Sequence, residues 1–321
     1  MLTRLFSIAK NTFIETLRQP IFAVIIIFAL LLMLLAPAVS MYTLDEDIKM
    51  LRELGLSTLF LAGLFIAVFA STGAITEEIE SGTITTVLSK PISRPIFVLG
   101  KFIGIAGAVT LAHALLTMAF LMITRHGVME TASDEFDWTV ISSAGIAVIA
   151  AILITAFFNY VYDWNFPATW VILETTFFGF AVLFLFFVDK NWKFNPADNH
   201  FESFDIIASI LLLFAIYLLV ALAILLSSRL NEVLTLTGCI GIFLLGLISD
   251  WVFGRFADQH LWAKIGSIVT PNLQVFWVSD AIYETGVVPA QYLLQAGSYT
   301  LLYTAGILAL AIALFQRRQV G

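Results

Sequence analysis

The chain has 321 residues, of which 60% are hydrophobic and 12% are charged, and its formal net charge is −7. Soluble domains carry roughly 25% charged residues, so this composition excludes an ordinary soluble protein and indicates an integral membrane protein. The net negative charge disfavours nucleic acid as a partner. The single cysteine, Cys239, allows no intrachain disulfide and no cysteine-based metal site, and we expect a small buried side chain there.

The first predicted element is an amphipathic helix over residues 1–19. Its apolar positions recur at helical spacing opposite a polar face, which suits a helix lying at a membrane surface. These apolar positions are Leu2, Leu5, Phe6, Ala9, Phe13 and Leu17. Because this stretch is longer than the basic region of a signal peptide, we expect the first span to be retained. The helix suits an interfacial anchor and a mechanical element equally well.

Eight apolar stretches then have the length of about 20 residues that a helix needs to cross the hydrocarbon core. They cover residues 21–41, 56–75, 102–124, 139–162, 168–188, 206–227, 234–250 and 298–316. The seventh is the shortest, because Glu232 and Asp250 bound it. Continuous apolar runs predict helices rather than barrel strands, so the predicted fold class is an all-α polytopic membrane bundle.

The distribution of cations predicts the orientation of these spans. An even number of spans places both termini on one side of the membrane. If that side is the cytoplasm, nine Lys and Arg residues face it and seven face the other side. The bias is mild, but Arg18, Lys101 and Arg317 directly adjoin predicted spans on the cytoplasmic side. We therefore predict that the N- and C-termini are cytoplasmic.

A polar segment, residues 76–101, separates the second and third predicted spans. The chain carries no Asp, Glu, Lys or Arg at residues 54–76 or 102–124, on either side of it. A charged segment punctuated by proline and held between two spans is typical of a structured loop that faces an aqueous partner. An ordinary solvated loop is the alternative interpretation.

Helix-capping residues divide this polar segment into two parts. Ser81 can cap a short helix that Pro91 ends, and Gly82 allows another backbone to approach closely. Ser93 can cap the helix that enters the third span, and Lys101 can extend its ammonium group to the membrane interface. A short helix lying across the ends of two spans can be pushed by a partner and can pass that push to both spans.

From Glu78 to Lys101 the sequence reads E-x-x-x-G-T, then L-S-x-P-I-S-R, then L-G-K. This pattern resembles the first cytoplasmic loop of the type-2 ABC export permeases, whose coupling helix docks on an ATPase subunit. The N-terminal helix resembles the elbow helix of that family, and the resemblance covers residues 1–124 and 206–321. Within that family the chain resembles permeases like the membrane subunit of the nitrous-oxide-reductase maturation transporter.

The resemblance implies a permease subunit of an ATP-driven exporter in a bacterial plasma (inner) membrane. The chain contains no G-x-x-x-x-G-K-[ST] motif, so the ATP and Mg²⁺ would be bound by a separate P-loop ATPase subunit. A second permease subunit, identical or related, and membrane lipid are the other implied partners, and we expect no cofactor in this chain. The residues assigned to the coupling site are Glu77, Glu78, Glu80, Gly82, Thr83, Leu88, Ser89, Pro91, Ser93, Arg94, Gly100 and Lys101.

The chain departs from this family in its number of spans. The family typically has six spans, whereas eight are predicted here. We interpret residues 139–188 as a helical pair inserted after the third span. An even insertion preserves the orientation of all later spans, but the dimer interface and substrate path of the family do not transfer into it.

Three polar residues lie within or beside predicted spans. Glu174 is the main candidate, because an intramembrane carboxylate costs roughly 2.5–3.5 kcal/mol on insertion scales. It lies less than two turns from the cytoplasmic end of its predicted span. It suits a role with substrate or protons, or a structural role in which Asn159, Tyr160 or Tyr162 bonds it or the carboxyl group is protonated. His113 is a second candidate, although a lone histidine in a helix is more often a packed polar residue than a ligand.

Residues 251–297 form a long segment between the last two spans. Its apolar residues and tryptophans suit a short helix lying at the outer interface or dipping into it, either as an anchor or as a cap on an exit path. The four histidines have no metal-ligand spacing, so no metal site is predicted. Two alternatives to the exporter remain: a non-transporting scaffold or mechanical element that uses an ATPase, and an intramembrane enzyme such as a protease using Glu77 and Glu78.

Overall fold

The computed structural model describes residues 2–42, 46–80, 93–129, 134–278 and 288–316. Over these ranges the chain is almost entirely helical, and an antiparallel bridge joins Val188 to Phe194. The helices are α1 (Leu2–Arg18), α2 (Pro20–Ser40), α3 (Asp47–Glu80), α4 (Arg94–His126), α5 (Trp138–Tyr162), α6 (Phe166–Phe187), α7 (Ser203–Ser227), α8 (Glu232–Leu247), α9 (Ser249–Val252), α10 (Leu261–Val269) and α11 (Ala290–Gln316). The predicted all-α fold class is confirmed.

Local sequence signals fix several helix ends. The carboxylate of Asp137 caps α5 by accepting the backbone N–H groups of Thr139 and Val140. The side chain of Asn165 caps α6, and that of Asn231 caps α8 in the same way. Each cap satisfies a backbone donor that the first turn of a helix leaves unpaired. These polar caps stop long apolar runs from merging into one helix.

Seven helices are long and apolar enough to cross a membrane. They are α2, the Asp47–Ile75 part of α3, α4, α5, α6, α7 and the Ala290–Phe315 part of α11. An eighth candidate is the pair formed by Glu232–Leu247 and Ser249–Phe256, which is bent by 64°. This pair corresponds to the shortest predicted span. Helices α3 and α4 extend well beyond the predicted spans, because their polar ends continue the helix outside the apolar stretch.

The chain divides into two compact units. The first comprises residues 1–13, 64–106 and 210–321, and the second comprises residues 14–63 and 107–209. In both units long apolar side chains and alanines of the helices form the buried core. Cys239 of the first unit is fully buried, as predicted.

Within the first unit, one hydrogen bond brings the ends of α7 and α11 together. The Nη2 of Arg229, just after α7, donates to the carbonyl oxygen of Leu314 at 3.0 Å, so the ends of α7 and α11 lie together. Helix α8 begins at Glu232, on that same side. Counted as one span, the bent pair gives eight candidate spans in the described residues, and counted as a re-entrant segment it leaves seven.

Three tyrosines of α11 hold the segment that precedes it. The hydroxyl of Tyr299 accepts the backbone N–H of Asn272 at 2.8 Å, and that of Tyr292 donates to the carbonyl oxygen of Val275 at 2.6 Å. The hydroxyl of Tyr303 donates to the carbonyl oxygen of Ile268. Tyr292 and Tyr303 are eleven positions apart, or about 16 Å along a helix. Residues 268–275 thus lie alongside the first half of α11.

A buried arginine organises the second unit. Arg125, near the end of α4, pairs with Asp137 at 3.3 Å and donates to the carbonyl oxygen of Val188 at 2.8 Å. It also donates to the carbonyl oxygen of Leu185 and to the hydroxyl of Thr139. This one side chain therefore joins the end of α4 to the start of α5 and the end of α6.

Candidate functional site

The predicted coupling segment lies between α3 and α4. Glu77, Glu78 and Glu80 belong to the C-terminal end of α3, which stops at Glu80. Ser93 is exposed and precedes α4, whose first turn contains Pro95 as the sequence predicted. The remaining coupling positions lie outside the described residues. They are Gly82, Thr83, Leu88, Ser89 and Pro91.

The first residue of α4 contacts the last turn of α11. The Nη1 of Arg94 donates to the carbonyl oxygen of Phe315 at 3.1 Å. One turn later, the ring of Phe97 stacks on that of Phe315, with ring centroids 5.7 Å apart. Both rings are almost fully buried. The entry to α4 is therefore fixed to the end of α11 by one polar contact and one apolar contact.

Two arginines satisfy adjacent carbonyl groups of that helix end. Arg94 binds the carbonyl of Phe315, and Arg229 binds that of Leu314. The last four carbonyls of a helix lack intrahelical partners and carry partial negative charge, so cations are stabilising there. The ends of α7 and α11 and the beginning of α4 thus meet at one place in the first unit.

Lys101 does not extend to the interface as predicted. Lys101 is only 3% exposed, and its Nζ lies 5.6 Å from the centroid of the Phe97 ring. The face of an aromatic ring attracts a cation, which offsets part of the cost of burying the ammonium group. The aromatic contact, which the sequence alone did not indicate, explains the difference.

Helix α1 packs closely on α4 at two glycines. A Cβ at Gly100 would lie 2.6 Å from Cγ2 of Ile8, and a Cβ at Gly104 would lie 2.5 Å from the carbonyl oxygen of Ala9. The spacing is G-x-x-x-G, which lets helix backbones approach closely in membrane proteins. The predicted amphipathic helix α1 therefore packs against α4 a few residues after the beginning of α4. The buried face of α1 extends from Ala9 to Leu17.

His113 lies in a polar cluster inside the second unit. Its Nε2 is 2.9 Å from the carbonyl oxygen and 3.0 Å from the hydroxyl of Ser209, and that hydroxyl is 2.6 Å from the Oγ1 of Thr117. The cluster joins α4 to α7. This geometry favours a packed polar residue. The described residues contain no group of three His, Cys, Asp or Glu side chains that could hold a metal ion.

Glu174 is fully buried in α6. Among the described residues, neither of its carboxyl oxygens has a hydrogen-bond partner of normal geometry, and the indole of Trp170, one turn earlier, is a polar group beside it. Asn159 is exposed and donates to the carbonyl oxygen of Trp164 at 2.6 Å instead. Asn159, one of the partners considered for Glu174, therefore bonds elsewhere. Tyr160 and Tyr162 are also exposed.

The depth of Glu174 also differs from the prediction. Helix α6 begins at Phe166, two residues before the predicted span, so Glu174 lies eight residues, or about 12 Å, along it. The helix begins earlier because Asn165 caps it and Pro167 occupies its first turn. The carboxyl group is thus further from the helix end than the apolar run suggested.

Sequence reasoning missed two buried ion pairs. Arg125 pairs with Asp137, and the Nε of Arg52 lies 2.9 Å from an oxygen of Asp205. All four residues were counted only as charges flanking spans. The available signal was the position of Arg125 in the last turn of α4 and of Asp205 in the first turn of α7, where a buried charge needs a partner.

Comparison with known protein families gives a match over the N-terminal part of the chain. Residues 6–161 match the family described as ABC-2 family transporter protein, and this match includes most of α1, the helices α2 to α4 and nearly all of α5. No curated protein matches the chain. The similarity to the nitrous-oxide-reductase maturation subgroup and the insertion at 139–188 stay predictions. The match over residues 6–161, close to half of the chain, supports an ABC-2 type permease.

Proposed function

We propose that this membrane permease component of an ABC transporter works as an exporter subunit driven by a separate ATPase subunit. The family match supports a permease of this class. In the proposed complex, the ATPase subunits bind ATP and Mg²⁺, and a second permease subunit completes the membrane part. Both termini and the coupling segment would face the cytoplasm of a bacterial cell, with lipid around the spans.

The observation that carries the coupling proposal is the attachment of the α4 entry. Arg94 is fixed to Phe315 of α11, and Gly100 lies against Ile8 of α1. A force applied to the segment between α3 and α4 would therefore reach α1 and α11 as well as the two spans that flank it. ATP binding by the ATPase would shift the permease between two conformations that differ in the position of these helices.

Charge reversal at Glu78 tests this proposal. The tagged chain, co-expressed with its cognate ATPase, is purified in mild detergent, and we measure the amount of ATPase recovered and its hydrolysis rate. We expect Glu78→Lys and Gly82→Pro to lower both, with normal membrane insertion. Glu135→Lys, an exposed position in another loop, is the matched control and should behave like the parent.

Each result bears on a different part of the proposal. Full ATPase recovery and stimulation in both variants would exclude the segment as the coupling element. Recovery of no P-loop ATPase with the parent chain would exclude a permease driven by a separate ATPase. An activity that survives ATP depletion but is lost in Glu77 and Glu78 variants would favour an intramembrane enzyme. ATP-dependent substrate movement in proteoliposomes would exclude a non-transporting scaffold.

A further inference from the structure

The turn that follows α6 has an unusual construction. Residues 188–195, which we name the aromatic turn, leave the end of the span Phe166–Phe187 and fold back on themselves. The antiparallel bridge between Val188 and Phe194 closes the turn, and the backbone N–H of Asn195 donates to the carbonyl oxygen of Phe187 at 2.9 Å. The turn is therefore held against the end of its own span.

A buried aspartate organises the aromatic turn from within. The Oδ1 of Asp189 accepts the backbone N–H groups of Asn191 and Lys193, both at 2.9 Å. The bond from Lys193 is the largest influence on this carboxyl group, and these bonds hold the pKa of Asp189 below its ordinary value despite burial. The aspartate charge is thus used inside the turn, and its residue is only 7% exposed.

The aromatic turn directs two large rings outward. Trp192 has a φ of 61°, a left-handed conformation that non-glycine residues rarely adopt, and it is 57% exposed. Phe194 is 76% exposed. Each ring contacts an aromatic ring near the end of α6: Trp192 lies 6.3 Å from Phe184, and Phe194 stacks on Phe187 at 5.9 Å. The rings therefore extend the aromatic surface of the span beyond its end.

Two cations accompany these rings. Lys190 and Lys193 are exposed on the same turn, and the acidic residue within that turn is the buried Asp189. Aromatic rings at the end of a span prefer the headgroup layer of a bilayer, and lysines near that layer are attracted to anionic lipids. A surface that combines both at one helix end matches the chemistry of an anionic lipid headgroup.

We propose that the aromatic turn binds anionic phospholipid headgroups. Lys190 and Lys193 contact the lipid phosphate, while the two exposed rings lie among the headgroups and the upper acyl chains. Charge complementarity and the attachment of the turn to the end of a span select lipid over a soluble protein partner. This surface is independent of the coupling segment and of any ATPase.

Spin labels on the full-length protein test the placement. In a Cys239→Ala background, Trp192→Cys or Phe194→Cys provides the single labelling site, and Glu135→Cys provides an exposed loop control. In proteoliposomes we expect labels at 192 and 194 to collide more with oxygen, which partitions into lipid, than with a water-soluble nickel chelate. The label at 135 should show the opposite preference. A water-like response at 192 and 194 would overturn the proposal and indicate a protein-facing surface.

Lipid titration tests the cations. We expect phosphatidylglycerol, added to the detergent-purified protein, to raise the Tm more than phosphatidylcholine does. Lys190→Gln combined with Lys193→Gln should remove at least half of that difference, whereas the exposed control Lys264→Gln should keep it. An undiminished difference in the double variant would overturn the proposal. An equal Tm rise with soluble glycerol phosphate would also overturn it, because the site would then bind phosphate rather than a lipid surface.

Discussion

Arg94 and Phe315 are 221 positions apart in the sequence, yet the Nη1 of Arg94 donates a hydrogen bond to the carbonyl oxygen of Phe315 at 3.1 Å. The bond joins the helix that leaves the coupling segment to the end of the last described helix. The resemblance to ABC permeases assigns Arg94 to a surface that meets an ATPase. The structure gives the same guanidinium an internal partner, so a charge change at Arg94 would disturb the fold as well as any docking.

We expect Arg94→Gln to lower the thermal stability of the detergent-purified protein. The substitution removes a charged donor from a helix-end carbonyl, and such hydrogen bonds contribute about 1–3 kcal/mol. Differential scanning fluorimetry measures the Tm, with Arg18→Gln at an exposed helix end as the matched control. Arg229→Gln, which releases Leu314, should have a similar effect. Equal Tm values for Arg94→Gln and Arg18→Gln would contradict the internal role.

We expect Gly104→Ala to separate α1 from α4. The added Cβ would meet the carbonyl oxygen of Ala9 at 2.5 Å, and this backbone atom can move only with its helix. Overpacking of this kind typically lowers the free energy of unfolding by about 1–3 kcal/mol. Gly145→Ala and Gly306→Ala are the controls, because a Cβ there has no neighbour within 4 Å. The measurement is the Tm together with protease cleavage near α1; control-like behaviour of Gly104→Ala would refute close packing.

We expect the ion pair of Asp137 to make stability fall at low pH. Burial alone would raise the pKa of Asp137, but hydrogen bonds from Thr139 and Val140 and the charge of Arg125 outweigh it and lower the pKa below the ordinary 3.8. Because the folded pKa is the lower one, this contribution is present above about pH 4. It disappears as the pH falls through the folded pKa.

Asp137→Asn isolates that contribution. Asparagine can still cap α5, so the variant removes the charge while keeping the cap. We expect it to lower the Tm at neutral pH, where breaking a buried pair costs about 3–5 kcal/mol at most, and to approach the parent as the pH falls through the folded pKa of Asp137. Glu135→Gln, in the same loop but exposed, is the control. A Tm difference between parent and Asp137→Asn that does not narrow as the pH is lowered below about 4 would rule out the ion pair as its cause.

We expect Glu174→Gln to leave stability unchanged or to raise it. A buried carboxyl group without a hydrogen-bond partner of normal geometry is costly, and a neutral amide of the same size avoids the penalty of an ionised group. The measurement is the Tm, compared with that of Glu135→Gln. A large fall in the Tm would mean that the carboxylate has a stabilising partner. Loss of transport at an unchanged Tm would assign Glu174 to the transport cycle.

Much of the helical framework could be predicted, because spans are local features. The predicted span 139–162 corresponds to Trp138–Tyr162, and 21–41 corresponds to Pro20–Ser40. The prediction for α3 was poorer: 56–75 became Asp47–Glu80, since its amphipathic ends stay helical outside the apolar stretch. Composition alone does not determine where such a helix ends.

The side-chain partners could not be predicted in the same way. Lys101 was expected to reach the interface, but it lies over Phe97, and Asn159 bonds Trp164 rather than Glu174. Each outcome depends on which rings and carbonyls lie nearby. Such neighbours are fixed by the packing of several helices and leave no periodic signal in the sequence.

The sequence by itself determined that this chain is a helical membrane protein, which stretches can span a bilayer, and which segment carries the coupling pattern. Apolar length, capping residues and residue spacing act over a few turns, so they can be recognised one segment at a time. Only the tertiary structure decided that Arg94 and Arg229 bind the end of α11, and that Gly100 and Gly104 receive α1. Hydrogen bonds and close packing require atoms within a few ångströms, and only the folded chain brings residues so distant in sequence to that separation.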